Sequence, residues 1–201
     1  MAGRGTSVRA GTPARRASIL DAALGCFTDL GIAATTVEDI CRVAGASVGS
    51  LYHHFGSKEG VAAGLFIEGI RGLNADLVRK LKRCRSAEAG VRLVVTQYCD
   101  WVARHPDLAR YLVNSRDITF SDSARSELRE IRRQHLTEVF TWFAPFVAGG
   151  EMKRLPVDTY VPIISGPIQD YVRHWLEGQT QASPAKVKIV FADAAWNAVK
   201  T

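Results

Sequence analysis

The sequence predicts an all-α chain of about nine helices, an N-terminal three-helix unit followed by a longer helical region. Three observations carry this reading. Apolar residues recur every three to four positions along most of the 201 residues, the period of an amphipathic helix. No segment sustains the period-two alternation and β-branched enrichment that mark strands. Gly and Pro interrupt the periodic runs where helices should stop.

After Met1, residues 2–14 are Gly, Ala, Thr, Ser, Pro and Arg around Val8, and residues 1–14 read as a disordered basic tail. From Arg15, the positions Ile19, Ala23, Phe27 and Leu30 form the apolar stripe of a first helix that stops at Gly31. Thr36-Val37-Glu38-Asp39 has the form of a capping box. It opens a second helix with Val37, Ile40, Cys41 and Ala44 on one face. Gly45 ends that helix. Ser47 caps a third, whose inward face reads as Val48, Leu51 and Phe55. Gly56 ends the third helix, and Ser57 caps a long fourth one reaching about Arg83. Further helices are expected over roughly 87–104, 106–115, 122–148, 157–177 and 184–199. Pro106, Gly149-Gly150, Pro156, Gly178 and Pro184 signal their boundaries, and Pro167 should kink its helix. The expected organisation is a tail over 1–14, a helix-turn-helix domain over 15–60, and a ligand-binding and dimerisation domain over 61–201.

The formal net charge is +6, which favours a polyanionic partner. The distribution is uneven: residues 1–16 hold four arginines and no acid, whereas residues 17–60 hold two bases and five acids. A case for DNA binding must therefore rest on pattern, not on total charge. Cys26, Cys41, Cys84 and Cys99 show no C-x-x-C spacing and no nearby histidine pattern, so they read as core thiols, with no metal and no cofactor expected. No run approaches a signal peptide or the ~20 apolar residues of a membrane span. A cytoplasmic protein is the expectation.

Gly45-Ala46-Ser47-Val48-Gly49 matches G-x-S-x-G, which in a hydrolase would make Ser47 a nucleophile. That chemistry needs a strand before the serine and a helix after it. Here a helix precedes it. The alternative is the turn and second helix of a helix-turn-helix. The third helix suits that role. Its outer residues are Ser47, Gly49, Ser50, Tyr52, His53 and His54, which are small or hydrogen-bonding. Gly49 lets the backbone approach a base edge, Ser50 can donate or accept there, and Tyr52 and the histidines can reach phosphate oxygens. A merely solvated face would favour Lys, Glu and Ala.

Thr35-Thr36-Val37-x-Asp39-Ile40, followed by Ala44-Gly45-x-Ser47-x-Gly49-x-Leu51-Tyr52-x-His54-Phe55-x-Ser57-Lys58-Glu59, resembles the signature of the tetracycline-repressor (TetR) family over residues 15–62. Ala46 and Gly60-Val61 depart from the usual pattern, and Gly60 is expected to loosen the start of the fourth helix. The resemblance implies that Thr36, Ser47, Tyr52, His54 and Lys58 hold phosphates. It implies that Val48, Gly49, Ser50 and His53 lie nearest base edges, while Leu51 and Phe55 are structural. The Arg-rich tail reads either as adding minor-groove contacts or as an unread flexible end.

Beyond about residue 65 only helix number and lengths resemble the family. The family pattern would place a small apolar inducer among helices four to seven, near Phe66, Ile70, Tyr98, Trp101, Tyr111, Phe120, Trp142 and Phe143, with Gln97 and Asn114 as polar groups. Aromatics at helical spacing also suit a plain core. Two C-terminal stripes would form a homodimer: Val161, Ile164, Ile168, Val172 and Trp175, then Val187, Val190, Phe191, Ala194 and Ala198. Either stripe could instead face the chain's own core. The basic cluster Arg79, Lys80, Lys82, Arg83 and Arg85 reads as the ordinary cationic complement of a helix C-terminus. The expectation is a dimeric, ligand-responsive repressor on a pseudo-palindromic double-stranded operator, not an enzyme. The alternatives are a serine hydrolase using Ser47, and a helical ligand-binding protein without DNA binding.

Overall fold

A computed structural model describes residues 12–115 and 120–201, and of Thr12 the backbone alone. The tail up to residue 11, with Arg4 and Arg9, lies outside the described residues. Two compact units divide the chain, the first ending at Phe66 and the second running from Ile67 to Thr201.

The first unit contains α1 (Thr12–Leu30), α2 (Val37–Ala44), α3 (Val48–Phe55) and the opening turns of α4 (Lys58–Leu81). Helix α1 begins three residues before the expected boundary at Arg15, so Thr12, Pro13 and Ala14 are helical. Proline is favoured in a first turn, where its missing N–H is not needed. Ile19, Ala23 and Phe27 of α1 pack with Ile40 and Cys41 of α2, Leu51 of α3 and Val61 of α4 as a buried core. Leu30, expected on the buried stripe, is exposed at the end of α1.

The second unit continues with α5 (Ala87–Arg104), α6 (Pro106–Asn114), α7 (Asp122–Ala148), α8 (Tyr160–Leu176) and α9 (Pro184–Val199). A 3₁₀ turn over Val157–Thr159 precedes α8, where the sequence suggested helix from residue 157. Pro167 lies inside α8 and the helix runs through it. Helix α5 packs against both α8 and α9. Val91, Val95, Cys99 and Val102 of α5 meet a core that includes Ile168, Val172, Ala192 and Val199. Lys188 Nζ reaches Asp100 Oδ1 at 2.6 Å, and Arg92 pairs with Asp193 beside it.

Among the described residues there is no strand, only an isolated bridge between Met152 and Lys200. Lys153 N donates to Val199 O at 2.7 Å, and Tyr160 Oη donates to Lys153 O at 2.7 Å. These bonds tie the α7–α8 connection to the end of α9. The four cysteines are free, and burial raises the pKa of each. No helix among the described residues is long and apolar enough to cross a membrane.

Candidate nucleic-acid interface

The interface is assembled from two helix starts and the loop that precedes them. Gly31 sits at φ 80°, a left-handed conformation that ends α1 at little steric cost. Thr35, 1% exposed, turns its hydroxyl back on α1, with Gly31 O at 2.8 Å and Cys26 O at 3.1 Å. Thr36 then caps α2. Its Oγ1 accepts from Asp39 N at 3.1 Å, and its own N–H donates to Asp39 Oδ2 at 3.2 Å. Its hydroxyl also donates to that carboxylate at 2.7 Å. The Thr36 hydroxyl holds the Asp39 pKa below its ordinary value, with Arg42 adding to the effect. The expected capping box is present, and the proton of Thr36 faces Asp39, not an outside phosphate.

Gly45 ends α2 at φ 58°, ψ 36°. Its carbonyl accepts from Arg15 Nη1 at 2.9 Å, so α1 braces the turn of the helix-turn-helix. Sequence reasoning read Arg15 as the start of the first helix and as part of the N-terminal positive charge, without this role; a basic residue 30 positions from its acceptor leaves no local signal. Ser47 is extended at φ −78°, ψ 152°, and its Oγ accepts from Ser50 N at 3.2 Å. It is a helix cap between two helices, which excludes the strand-to-helix elbow that a nucleophilic reading requires.

Helix α3 buries Leu51 and half-buries Phe55, over whose ring the Arg16 guanidinium lies at 5.3 Å. Val48 is 39% exposed, which corrects its expected inward placement. Val48 shares the side of Leu51, but as the first residue of α3 it lies at the open end of the helix, beside Gly49. A β-carbon on Gly49 would meet nothing within 4 Å. Tyr52 and His53 are exposed, and Ser50 and His54 are half-buried. The two imidazoles stand edge to face with centroids 5.3 Å apart. The outer face of α3 thus presents small, hydroxyl, phenol and imidazole groups without a Lys, Arg or acid.

Two residues depart from their expected roles. Lys58 Nζ donates to Thr35 O at 2.7 Å, Ile32 O at 2.8 Å and Ala33 O at 3.2 Å. An ammonium has three protons, so its donors are directed at the α1–α2 loop, not at an outside phosphate. Gly60 does not loosen α4. A β-carbon there would lie 1.9 Å from Phe55 O, so only glycine lets the first turn of α4 pack this closely on the end of α3. Ser57 Oγ accepts from Gly60 N at 3.0 Å and caps that turn. Gly60→Ala is accordingly expected to destabilise the protein by ~1–3 kcal/mol through overpacking. This would override the ~1 kcal/mol that alanine gains over glycine in helices. Thermal denaturation of the full chain checks it.

The expected ligand residues are distributed unevenly. Phe66 closes the first unit, and the others lie in the second. Trp101 and Tyr111 are buried, and burial pushes the Tyr111 pKa up to about 12. Ile70, Tyr98, Phe120 and Trp142 are half-buried, and Phe143 is buried. The Trp142 ring meets Phe143 and Phe146 with centroids 4.9 and 4.8 Å apart. It also covers Gly90 of α5, where a β-carbon would lie 2.2 Å from it. Gln97 is not a spare polar group: its Nε2 donates to Asp76 Oδ2 at 3.2 Å. Lys80 and Arg79 pair with the same carboxylate and lower its pKa. Among the described residues, two buried polar side-chain atoms lack a partner, His135 Nδ1 and Thr180 Oγ1.

The expected dimer stripe on α8 needs correction. Ile164, Ile168 and Val172 are buried within the chain itself and cannot also face a second copy. Trp175, Val187 and Phe191 are half-buried, Phe191 against the Tyr171 ring at 5.2 Å, and Ala194 is exposed. The exposed large apolar residues of these helices are Val161, Ile189 and Val190.

A family model described as "Bacterial regulatory proteins, tetR family" matches residues 19–65, the segment that builds this surface. The transcriptional repressor KstR2 of Rhodococcus jostii (strain RHA1) is 35% identical over 132 residues, covering 60% of this chain and 63% of that protein. KstR2 of Mycolicibacterium smegmatis is 56% identical over 45 residues, covering 22% of each chain. The chain thus spans less than two thirds of the length of these relatives. The crystal structure of FadR from Bacillus subtilis, in complex with stearoyl-CoA, superposes with a TM-score of 0.76 at 22% identity. That match covers 89% of this chain and 96% of the FadR chain, and it establishes the shared fold.

Proposed function

We propose, from the match of residues 19–65 to the TetR-family model, a dimeric transcriptional repressor that an apolar small molecule releases from its operator. The observation that carries the DNA-reading role is the outer face of α3. Gly49 leaves open space there, flanked by Ser47, Val48, Ser50, Tyr52 and His53. With no side chain at Gly49, the helix backbone can approach the floor of the major groove. Val48 then suits a thymine methyl, and Ser50 and His53 suit base-edge hydrogen bonds. Ser47, Tyr52 and His54 hold the phosphate backbone. Thr36 orders the start of α2, where backbone N–H groups favour an anion.

A second copy docks on the exposed apolar residues of α8 and α9, Val161, Ile189 and Val190. Two-fold symmetry then asks for a pseudo-palindromic operator with half-site centres ~34 Å or more apart.

The inducer belongs to the second unit. Helix α7 carries Ile131, Val139, Trp142 and Phe143 as buried or half-buried positions at helical spacing around His135. Burial pushes the His135 pKa down against the raising influence of Glu138, so the ring is neutral at pH 7. Its Nδ1 is the atom we assign to the polar group of an otherwise apolar ligand. Ile70, Tyr98, Trp101, Tyr111 and Phe120 are the further wall candidates. The FadR of Bacillus subtilis that shares this fold holds stearoyl-CoA, and a long acyl thioester has the required chemistry: an apolar chain with a carbonyl.

Selection of bound fragments from genomic DNA yields the operator. Stearoyl-CoA is then titrated, by tryptophan fluorescence, against the free protein and the operator complex. Because coupling between sites is reciprocal, operator should weaken the ligand by ~5–150-fold. His135→Leu should weaken the ligand by about 10-fold, the cost of one buried hydrogen bond. Equal affinities in the two titrations would reject the inducer role.

A further inference from the structure

We infer that Lys58 is a positioning residue, an internal cation that locks the α1–α2 loop to the first turn of α4 and so sets the pose in which the head meets DNA. The inference rests on the DNA-binding reading and deepens it.

Three carbonyl oxygens from a stretch of four residues converge on one ammonium. They belong to Ile32, Ala33 and Thr35, at 2.8, 3.2 and 2.7 Å. The arrangement satisfies all three protons of the lysine. It also gives a partner to three carbonyls of the α1–α2 loop, beyond the end of α1 at Leu30. Charge-assisted bonds of this kind are roughly twice as strong as neutral ones. A phosphate that recruited this ammonium would have to displace at least one of them.

The position gives the clamp a consequence. The residue after Thr35 is Thr36, whose side chain orders the start of α2 through Asp39. Two positions beyond Lys58, Gly60 lies directly against Phe55 O, the last residue of α3. One turn of α4 is therefore fastened to the start of α2 by Lys58 and to the end of α3 by Gly60. A rotation of that turn carries both reading helices with it. The other cations of the described first unit are also internally engaged. Arg15 braces Gly45 O, Arg16 lies over Phe55, and Arg42 pairs with Asp39.

The test separates a clamp from a phosphate contact. A phosphate-neutralising lysine contributes ~0.9 to the slope of log affinity against log salt on duplex DNA. Lysine and arginine serve a phosphate alike in charge, but a planar guanidinium cannot aim three protons at three carbonyls grouped around one point. Full-length wild type, Lys58→Met and Lys58→Arg are compared by hydrogen exchange of the free protein. Binding to a duplex recovered by the genomic selection is then measured across a salt series.

The clamp predicts faster exchange over residues 31–39 in both variants, by about 10-fold, with α5 unchanged. It predicts a similar loss of operator affinity in both, with the salt slope of Lys58→Met equal to that of wild type. A slope reduced by ~0.9 in Lys58→Met, with exchange unchanged, overturns it. So does wild-type behaviour of Lys58→Arg. If a variant fails to fold, Lys58→Gln, which keeps a donor and most of the stem, is judged by the same criteria. If wild type binds no duplex, the DNA-binding reading falls, while the exchange data still decide whether the clamp exists.

Discussion

Gly49→Leu is expected to abolish operator binding and to leave the free protein folded. Gly49 lies in the first turn of α3, and an added β-carbon meets nothing within 4 Å, so the side chain has room in the absence of DNA. Leucine is a better helix former than glycine by ~0.8–1 kcal/mol, so thermal stability should hold or rise. In the proposed complex the same side chain would occupy the space that the backbone of α3 needs to approach the bases. Loss of two good base contacts, at ~1–3 kcal/mol each, should lower affinity by about 30-fold or more. Fluorescence anisotropy on the selected operator measures the binding, and circular dichroism on the same sample measures the fold. Unchanged affinity would mean that α3 does not enter the groove. Gly49 and Gly60 thus form an opposed pair. A side chain at the first is expected to cost binding but not stability, whereas one at the second is expected to cost stability directly.

The second large effect concerns assembly. Ile189→Glu together with Val190→Glu should yield a folded monomer. Both side chains stand mostly in solvent in the single chain, at 56% and 68% exposure, so charging them costs the protomer little. Between two copies the same carboxylates would be desolvated and would face like charges across the two-fold axis. A dimer gains operator affinity because its second head binds at an effective local concentration in the millimolar range. Losing it should weaken operator binding by about 1,000-fold. Light scattering and anisotropy read the two consequences. Ile168→Glu is the contrast: that residue is 1% exposed within its own chain, and a buried unpaired charge there should unfold the second unit. A dimer that survives the double substitution would move the interface elsewhere.

Much of this molecule was legible in its residues alone. Helix period, Gly and Pro stops, and Ser or Thr caps act over three or four positions. The order of the helices, the capping box of Thr36 with Asp39 and the cap at Ser47 therefore followed from local pattern. The motif from Thr35 to Glu59 likewise carried the resemblance that the family-model match over residues 19–65 bears out, because its spacing reflects short connections between short helices.

The tertiary structure decided what each local feature faces. An apolar stripe states that a helix face is buried, not what buries it. Ile164, Ile168 and Val172 pattern equally well for a partner chain or for their own core, and only the packing of α5, α8 and α9 distinguishes the two. A lysine at a helix start patterns as an anion contact. Lys58 is placed otherwise because the chain returns carbonyls 23 to 26 residues upstream to its ammonium. Gly60 patterns as a weak helix start, and only the approach of Phe55 O shows that a larger residue has no room. Propensity and capping are properties of neighbouring residues and are written along the chain. Burial partners, donor–acceptor closure and steric exclusion are properties of distances between segments, and these exist only once the chain has folded.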